Sequence, residues 1–563
     1  RPAAWTSVIL VLSGFVLGGC AGGGWPAASV SSPMTPETAP ARSLAGSFLI
    51  SGQAMRDHRP AVARRHVEFL LKRAAADRAV QFRSFAVLFD NDDFAGAVAL
   101  AQRAEKRRPG NPMLALTLAV DAIVHGRYAD AAARLARQPE TPPNRVLTPL
   151  LGAWVAAARG RPIDLTGLDQ FKGFAPLKTL HRALIASALG NTDAALKHYR
   201  SAGADKSDAP LRVALAMARE LARADQLALA KAMLAKRTSN FLDTAVVIAD
   251  LTVTAQGAGP WLSPRAGAAE ALFDIATALQ RDGQRARAMF HASLALYIMP
   301  AMDLAHLLRG EIWEARERHD AALAAYRRIS AGSPYRLMAD LRRADALDKI
   351  GARTAAATLF RQLMARQETN PEPAIRLGDL FRGHKEWTDA IAAYNTAVAR
   401  MEAGGKPYWS VYYARGIAFE RAKIWDRAEA DFLTALKLRP DQPYVMNYLG
   451  YSWTEQGRHL QRAKKMIRKA AELRPRDGYI VDSLGWIHYQ QGAFKAAVTH
   501  LERAVELRPA DPVINDHLGD AYWRAGRRQE ARYQWRRVLL LAPSPELRRA
   551  LERKLTAGLP AAP

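Results

Sequence analysis

Cysteine is almost missing from this chain: Cys20 is the only one in 563 residues. A single thiol excludes an intramolecular disulfide, a cysteine-based zinc site and a redox pair within one chain. Acidic residues are outnumbered, 54 against 80 Lys and Arg, for a formal charge of +26. In a cytoplasmic protein that imbalance would point to nucleic acid. Catalytic signatures are missing as well. The histidines form no His-Glu-x-x-His pair, no Gly-x-Ser-x-Gly elbow occurs, and Gly404-Gly405-Lys406 runs into Pro407 instead of the Ser or Thr of a phosphate loop. The expectation is a chain that is not an enzyme and holds neither metal nor cofactor.

A long apolar run is lacking too. Trp5 to Leu17 is largely apolar but falls short of the roughly 20 residues that a spanning helix needs, and fits the apolar region of a secretory signal. It ends at Leu17-Gly18-Gly19-Cys20, which resembles the lipobox of bacterial lipoproteins. The resemblance implies a signal peptide over 1–19, acylation of Cys20 and a flexible Gly/Ser/Pro tether over 20–45. Ala21, where an Asp would favour retention at the inner membrane, implies an outer-membrane lipid anchor facing the periplasm. In that compartment nucleic acid is not the partner.

What the chain has in abundance is repetition. Laying Asp482–Pro509 over Asp516–Pro543 puts Leu484, Gly485, Gly492, Ala497, Leu501, Ala504 and Pro509 on Leu518, Gly519, Gly526, Ala531, Trp535, Val538 and Pro543. The frame continues upstream through Gly450, Gly416, Gly378, Ala344 and Gly310. A small residue there lets the first helix of a pair approach the second, a glycine makes the turn, and a proline stops the second helix.

These residues and spacings resemble the tetratricopeptide repeat (TPR), with its period of about 34 residues. The resemblance, to proteobacterial TPR lipoproteins of the outer-membrane type, implies an all-α TPR-type alpha-alpha solenoid, a right-handed superhelix of helical hairpins. The expected organisation is a degenerate repeat region over 46–253, an interrupting loop over 254–268, a C-terminal array over 269–543, a capping helix over 544–557 and a disordered tail over 558–563.

In TPR proteins the first helices line a concave groove. Transferred to this chain, the groove positions include Tyr444, Asn447, Tyr451, Tyr479, Asp482, Trp486, Tyr489, Asp516, Asp520, Trp523 and Arg524, an aromatic and acidic wall. It suits a protein partner presenting an extended segment or helix with apolar and basic side chains. Lys465 and Lys469 on one second helix, and Arg528, Arg532 and Arg536 on another, are spaced by four as basic stripes, which would contact anionic lipid or wall polymer. The reading is a lipid-anchored periplasmic scaffold that binds envelope proteins. Its alternatives are an accessory regulator of a cell-wall or surface-polysaccharide enzyme, and an enzyme with an unrecognised site.

Overall fold

The computed structural model describes residues 43–560 except 58, 75–76, 108–110, 142, 171, 207, 236–243 and 258. Cys20, the segment 1–19, most of the tether and residues 561–563 lie outside the described residues. All regular elements among the described residues are helices, and they make an all-α solenoid of repeating hairpins divided into two compact units after Leu363.

The first unit holds α1 (Leu44–Arg56), α2 (Pro60–Arg73), α3 (Arg78–Asp90), α4 (Phe94–Arg107), α5 (Pro112–Val124), α6 (Tyr128–Ala136), α7 (Asn144–Ala158), α8 (Ala175–Ala188), α9 (Thr192–Ser201), α10 (Leu211–Arg223), α11 (Leu227–Ala235), α12 (Thr244–Gln256), α13 (Pro264–Arg281), α14 (Arg285–Ile298), α15 (Asp303–Glu314), α16 (His319–Arg327), α17 (Arg336–Lys349) and most of α18 (Arg353–Arg366). The regular pairing lapses after α7, where two short 3-10 turns, Thr166–Leu168 and Lys172–Phe174, replace a second helix. The hairpin α13–α14 packs across earlier helices, α14 against α3 and α5, α13 against α7 and α8. One contiguous apolar core results, from Phe85 to Ala339.

The second unit holds α19 (Glu372–Gly383), α20 (Trp387–Ala403), α21 (Trp409–Arg421), α22 (Trp425–Leu438), α23 (Pro443–Glu455), α24 (Leu460–Leu473), α25 (Gly478–Gln490), α26 (Phe494–Leu507), α27 (Pro512–Arg524), α28 (Arg528–Leu540) and α29 (Pro545–Ala557). Its core comes in small pieces between neighbours: Met446, Ala470 and Ile480; then Val481, Ala504 and Ile514; then Ala531, Trp535, Val538 and Leu551. This is the nearest-neighbour packing of a repeat array.

Each hairpin closes on a glycine. A Cβ on Gly378, Gly416, Gly450, Gly485 or Gly519 would lie 2.5, 2.7, 2.8, 2.6 or 2.5 Å from Tyr394, Phe432, Ile467, Leu501 or Trp535, far inside van der Waals contact. Those five large side chains are fully buried. The helix starts are capped by side chains: Asp477 accepts from Tyr479 N–H, Asp511 from Val513 and Ile514 N–H, and Ser544 from Leu547 N–H. At the hairpin turn, Gly492 (φ 73°) and Gly526 (φ 82°) adopt the left-handed conformation without a Cβ clash, while Lys385 (φ 62°) and Lys423 (φ 65°) adopt it at a cost.

Three expected boundaries differ from what the structure shows. Helix α12 runs to Gln256 and α13 starts at Pro264, so the interruption expected over 254–268 shrinks to 257–263. Ser263 caps the next helix and Pro264 opens it. Helix α1 begins at Leu44, inside the expected tether. Past α29, Gly558 is buried and Leu559 packs on the last hairpin, so the tail expected from 558 is ordered at its start.

Two substitutions in one hairpin should act with opposite signs. Gly416→Ala overfills the contact with Phe432 and costs about 1–3 kcal/mol, whereas Lys423→Gly relieves the left-handed turn and gains about 1 kcal/mol. Hydrogen exchange of the α21–α22 amides in the full chain reads both. Unchanged protection in Gly416→Ala would contradict the packing argument.

Candidate functional site

Placed on the second unit, the expected groove residues fall into three groups: edge pairs, inter-repeat bridges and an open wall. The edge pairs join the two ends of one hairpin. The Arg474 guanidinium lies 6.0 Å from the Tyr444 ring centroid, and Arg508 lies 4.8 Å from that of Tyr479; Arg439 repeats the arrangement over Trp409 at 5.5 Å. Tyr444 and Tyr479 are therefore packing surfaces for the arginine that precedes each repeat-ending proline.

The bridges pair the acidic side chains of the expected groove. Asp482 on α25 accepts from His517 Nδ1 of α27 at 3.0 and 3.1 Å. Asp516 and Asp520, one turn apart on α27, both accept from Lys554 of α29, at 2.7 and 2.8 Å for Asp516 and 2.8 Å for Asp520. Trp535 Nε1 donates to the other oxygen of Asp520 at 2.9 Å. All three carboxylates are buried and bonded to a side chain of the following first helix, so they hold repeats together.

The protonation states follow from this packing. Burial works against a charged His517, yet Asp482, with Asp516 and Asp520 behind it, holds its pKa above the usual imidazole value. Burial and the neighbouring Asp516 push Asp520 up to about 6, against the pull of Lys554 and Trp535. Burial likewise disfavours the Lys554 ammonium, and Asp520 and Asp516 more than offset it, so its pKa is raised.

The sequence reading missed His517 and Lys554. A signal was available: laying Ser544-Pro545 over Asp511-Pro512 puts Leu551 on Leu518 and Glu552 on Gly519. Helix α29 thus has the register of a first helix, with an acid at the glycine position.

Trp523 also leaves the open groove. Its ring sits 5.4 Å from Trp535, a Cβ on Gly558 would come within 2.0 Å of it, and Arg528 and Arg532 lie 5.3 and 5.5 Å from its centroid. Two arginines of the expected basic stripe are tied up in this way. Lys469 of the other stripe is paired with Asp441.

What stays open is a wall on α23, α25 and α27. Trp486 stacks on Tyr489 (4.6 Å, 6°) and on His517 (4.0 Å, 17°), and its Nε1 donates to Glu455 at 2.6 Å. Arg524 Nε donates to the Tyr489 hydroxyl at 3.4 Å. Tyr451, half-buried, has its phenol pKa raised by burial and then by Glu455 and Asp482. One turn earlier, the Oδ1 of Asn447 is buried without a hydrogen-bond partner.

In the first unit, among the described residues, several large side chains pack on the α13–α14 hairpin. Trp154 lies where a Cβ on Gly267 would be, within 2.2 Å; Tyr297 donates to Asp121 at 2.8 Å; and Phe290 meets Phe89 edge-on at 5.1 Å. Trp154 Nε1 donates to His181 Nδ1 at 3.0 Å, so His181 carries its proton on Nε2, facing Asp274 at 3.1 Å. Arg212 then grips Asp274 with both η nitrogens at 2.6 and 2.9 Å. Arg212 holds the Asp274 carboxyl far below its usual value despite burial.

Among the described residues no group of three or more His, Cys, Asp or Glu side chains is placed to hold a metal ion, and no helix is long and apolar enough to cross a membrane.

Comparison with known proteins gives a consistent family. Residues 274–336, 341–405, 375–443 and 413–461 match one tetratricopeptide repeat family, 88–148 match another, and 485–526 match a family described as TPR repeat. The chain is 28% identical over 205 residues to the TPR repeat-containing protein PA4667 of Pseudomonas aeruginosa, covering 36% of this chain and 34% of that relative. It thus spans about a third of the relative's length. Among solved structures, it resembles YrrB, a TPR protein with an unusual peptide-binding site (18% identity, 35% of this chain and 99% of that one, TM-score 0.28). It also resembles the Cut9–Hcn1 hetero-tetramer of the APC/C (14% identity, 92% and 97%, TM-score 0.37).

The His517–Asp482 bridge makes stability depend on pH. A raised histidine pKa contributes stability fully below the ordinary value of 6.5 and loses it as pH rises through the higher folded value. Thermal melts at about pH 6 and about pH 8.5 should therefore show a loss of stability in the wild-type chain that His517→Gln reduces, the remainder coming from Asp520. Equal pH slopes in the two proteins would remove His517 as its source.

Proposed function

As a tetratricopeptide-repeat protein the chain has a fold suited to protein–protein interaction, and we propose that its second unit is a docking scaffold for an extended segment of a partner. The observation that carries this reading is the half-buried stack of Trp486 on Tyr489, 4.6 Å between ring centroids, on the open wall of α25. The stacked Trp486 and Tyr489 would supply contact area at low entropic cost. The carboxylates Asp482, Asp516 and Asp520, already paired, drop out of the partner chemistry, leaving Glu455 and Arg524 as the charged groups of the wall.

The location proposed is the periplasmic face of the outer membrane, with acylated Cys20 as the anchor. Support comes from Leu17-Gly18-Gly19-Cys20 after an apolar run and from Ala21 behind it. Two acyl chains suffice for stable anchoring. The partners are then other proteins of the envelope.

Two measurements test these readings separately. With a photocrosslinker at Tyr451 in living cells, Trp486→Ala with Tyr489→Ala should reduce crosslinked partner at least about five-fold while circular dichroism shows the helix content intact. An unaltered crosslinking pattern would reject the groove. For the anchor, mass spectrometry of the mature protein should show an acylated N-terminal Cys20 that Cys20→Ser lacks; an unmodified N-terminus in the parent would reject it.

A further inference from the structure

The exposed face of the last hairpin departs from that of the hairpin before it at equivalent backbone positions. On α28, Tyr533, Arg536, Arg537 and Leu540 follow the spacing of one helix face. Tyr533 is 70% exposed and Leu540 85%, and both arginines are exposed. Arg537 gives one N–H to Pro509 O at 3.0 Å, and Arg548 of α29 reaches Leu539 O at 3.4 Å, which brings a third guanidinium beside Leu540. Among the described residues none of these three arginines has a carboxylate at ion-pair distance; the nearby pairs are Arg527 with Glu530 and Arg549 with Glu546.

The equivalent positions on α26 are Thr499, Glu502, Arg503 and Glu506. There the charges cancel: Arg503 bonds Glu506 at 2.7 Å and Glu502 accepts from Arg527 at 3.0 Å. The same scaffold thus presents a neutralised polar face in one repeat, and two large bare apolar side chains ringed by three unpaired cations in the next. Repeat packing cannot account for the change, because these positions point away from the hairpin core.

Exposure of 85% also limits what could cover Leu540. A side chain that stands clear of the protein is well placed to enter the fluid boundary of a bilayer, and three guanidinium groups without carboxylate partners favour an anionic one. We propose that this face of α28 docks on an anionic lipid bilayer. Tyr533 and Leu540 enter the headgroup boundary, and Arg536, Arg537 and Arg548 meet the lipid phosphates. The proposal is independent of the groove reading and of the anchor at Cys20.

The test uses the full chain with Cys20→Ser, so that no acyl chain contributes, and Leu540→Cys labelled with an environment-sensitive nitrobenzoxadiazole. Vesicles of phosphatidylcholine containing phosphatidylglycerol should brighten the label and shift it to the blue, and vesicles of phosphatidylcholine alone should not. Adding Arg536→Glu with Arg537→Glu should weaken that response more than about ten-fold, while Lys495→Glu on α26 should change it less than about two-fold. Circular dichroism controls for folding of these surface variants. A silent label on anionic vesicles overturns the proposal, and so does a response that survives the double substitution; either result would leave an acidic protein surface as the occupant of this face.

Discussion

The contact between a helix glycine and a large buried side chain of its hairpin partner sets the geometry of the second unit. Tyr394, Phe432, Ile467, Leu501 and Trp535 differ in size and shape, yet each lies less than 3 Å from the place a Cβ would take. The missing methyl is what lets the two helices close, and the ring or branched chain fills the space that closing leaves. Because the contact lies within one hairpin, every hairpin is built the same way whatever its surface carries. Stacking then joins pieces that are already alike, and the core divides into small neighbour-to-neighbour clusters.

In the first unit the same kind of hairpin has been used differently. Helices α13 and α14 lie across α3, α5, α7 and α8, and the core is continuous instead of divided. The inner side chains that could have formed a wall are committed to Gly267, Phe290 and Tyr297. The two units therefore differ in character. The open aromatic wall belongs to the second.

Periodicity made the fold legible, since a glycine, an alanine and a proline at fixed spacing report contacts within a hairpin. Register carried over less well to the site. Asp482, Asp516 and Asp520 stand at groove positions by register, but their partners, His517 and Lys554, arrive from the next first helix, and register within one repeat carries no information about it. Asn447 sits at the position of Asp482 one repeat earlier and finds no such partner. Equivalent positions hence differ in availability for reasons that lie one repeat away. The boundary of α12 and α13 was misread for a related reason: Gly257 to Pro260 marks a break, and the break is short because Ser263 and Pro264 restart a helix at once.

Helix α29 has the start, cap and buried leucine of a first helix, and Glu552 where the closing glycine belongs. In each complete hairpin of the second unit that place is left empty by a glycine and faced by a large side chain of the second helix; on α29 a carboxylate side chain occupies it.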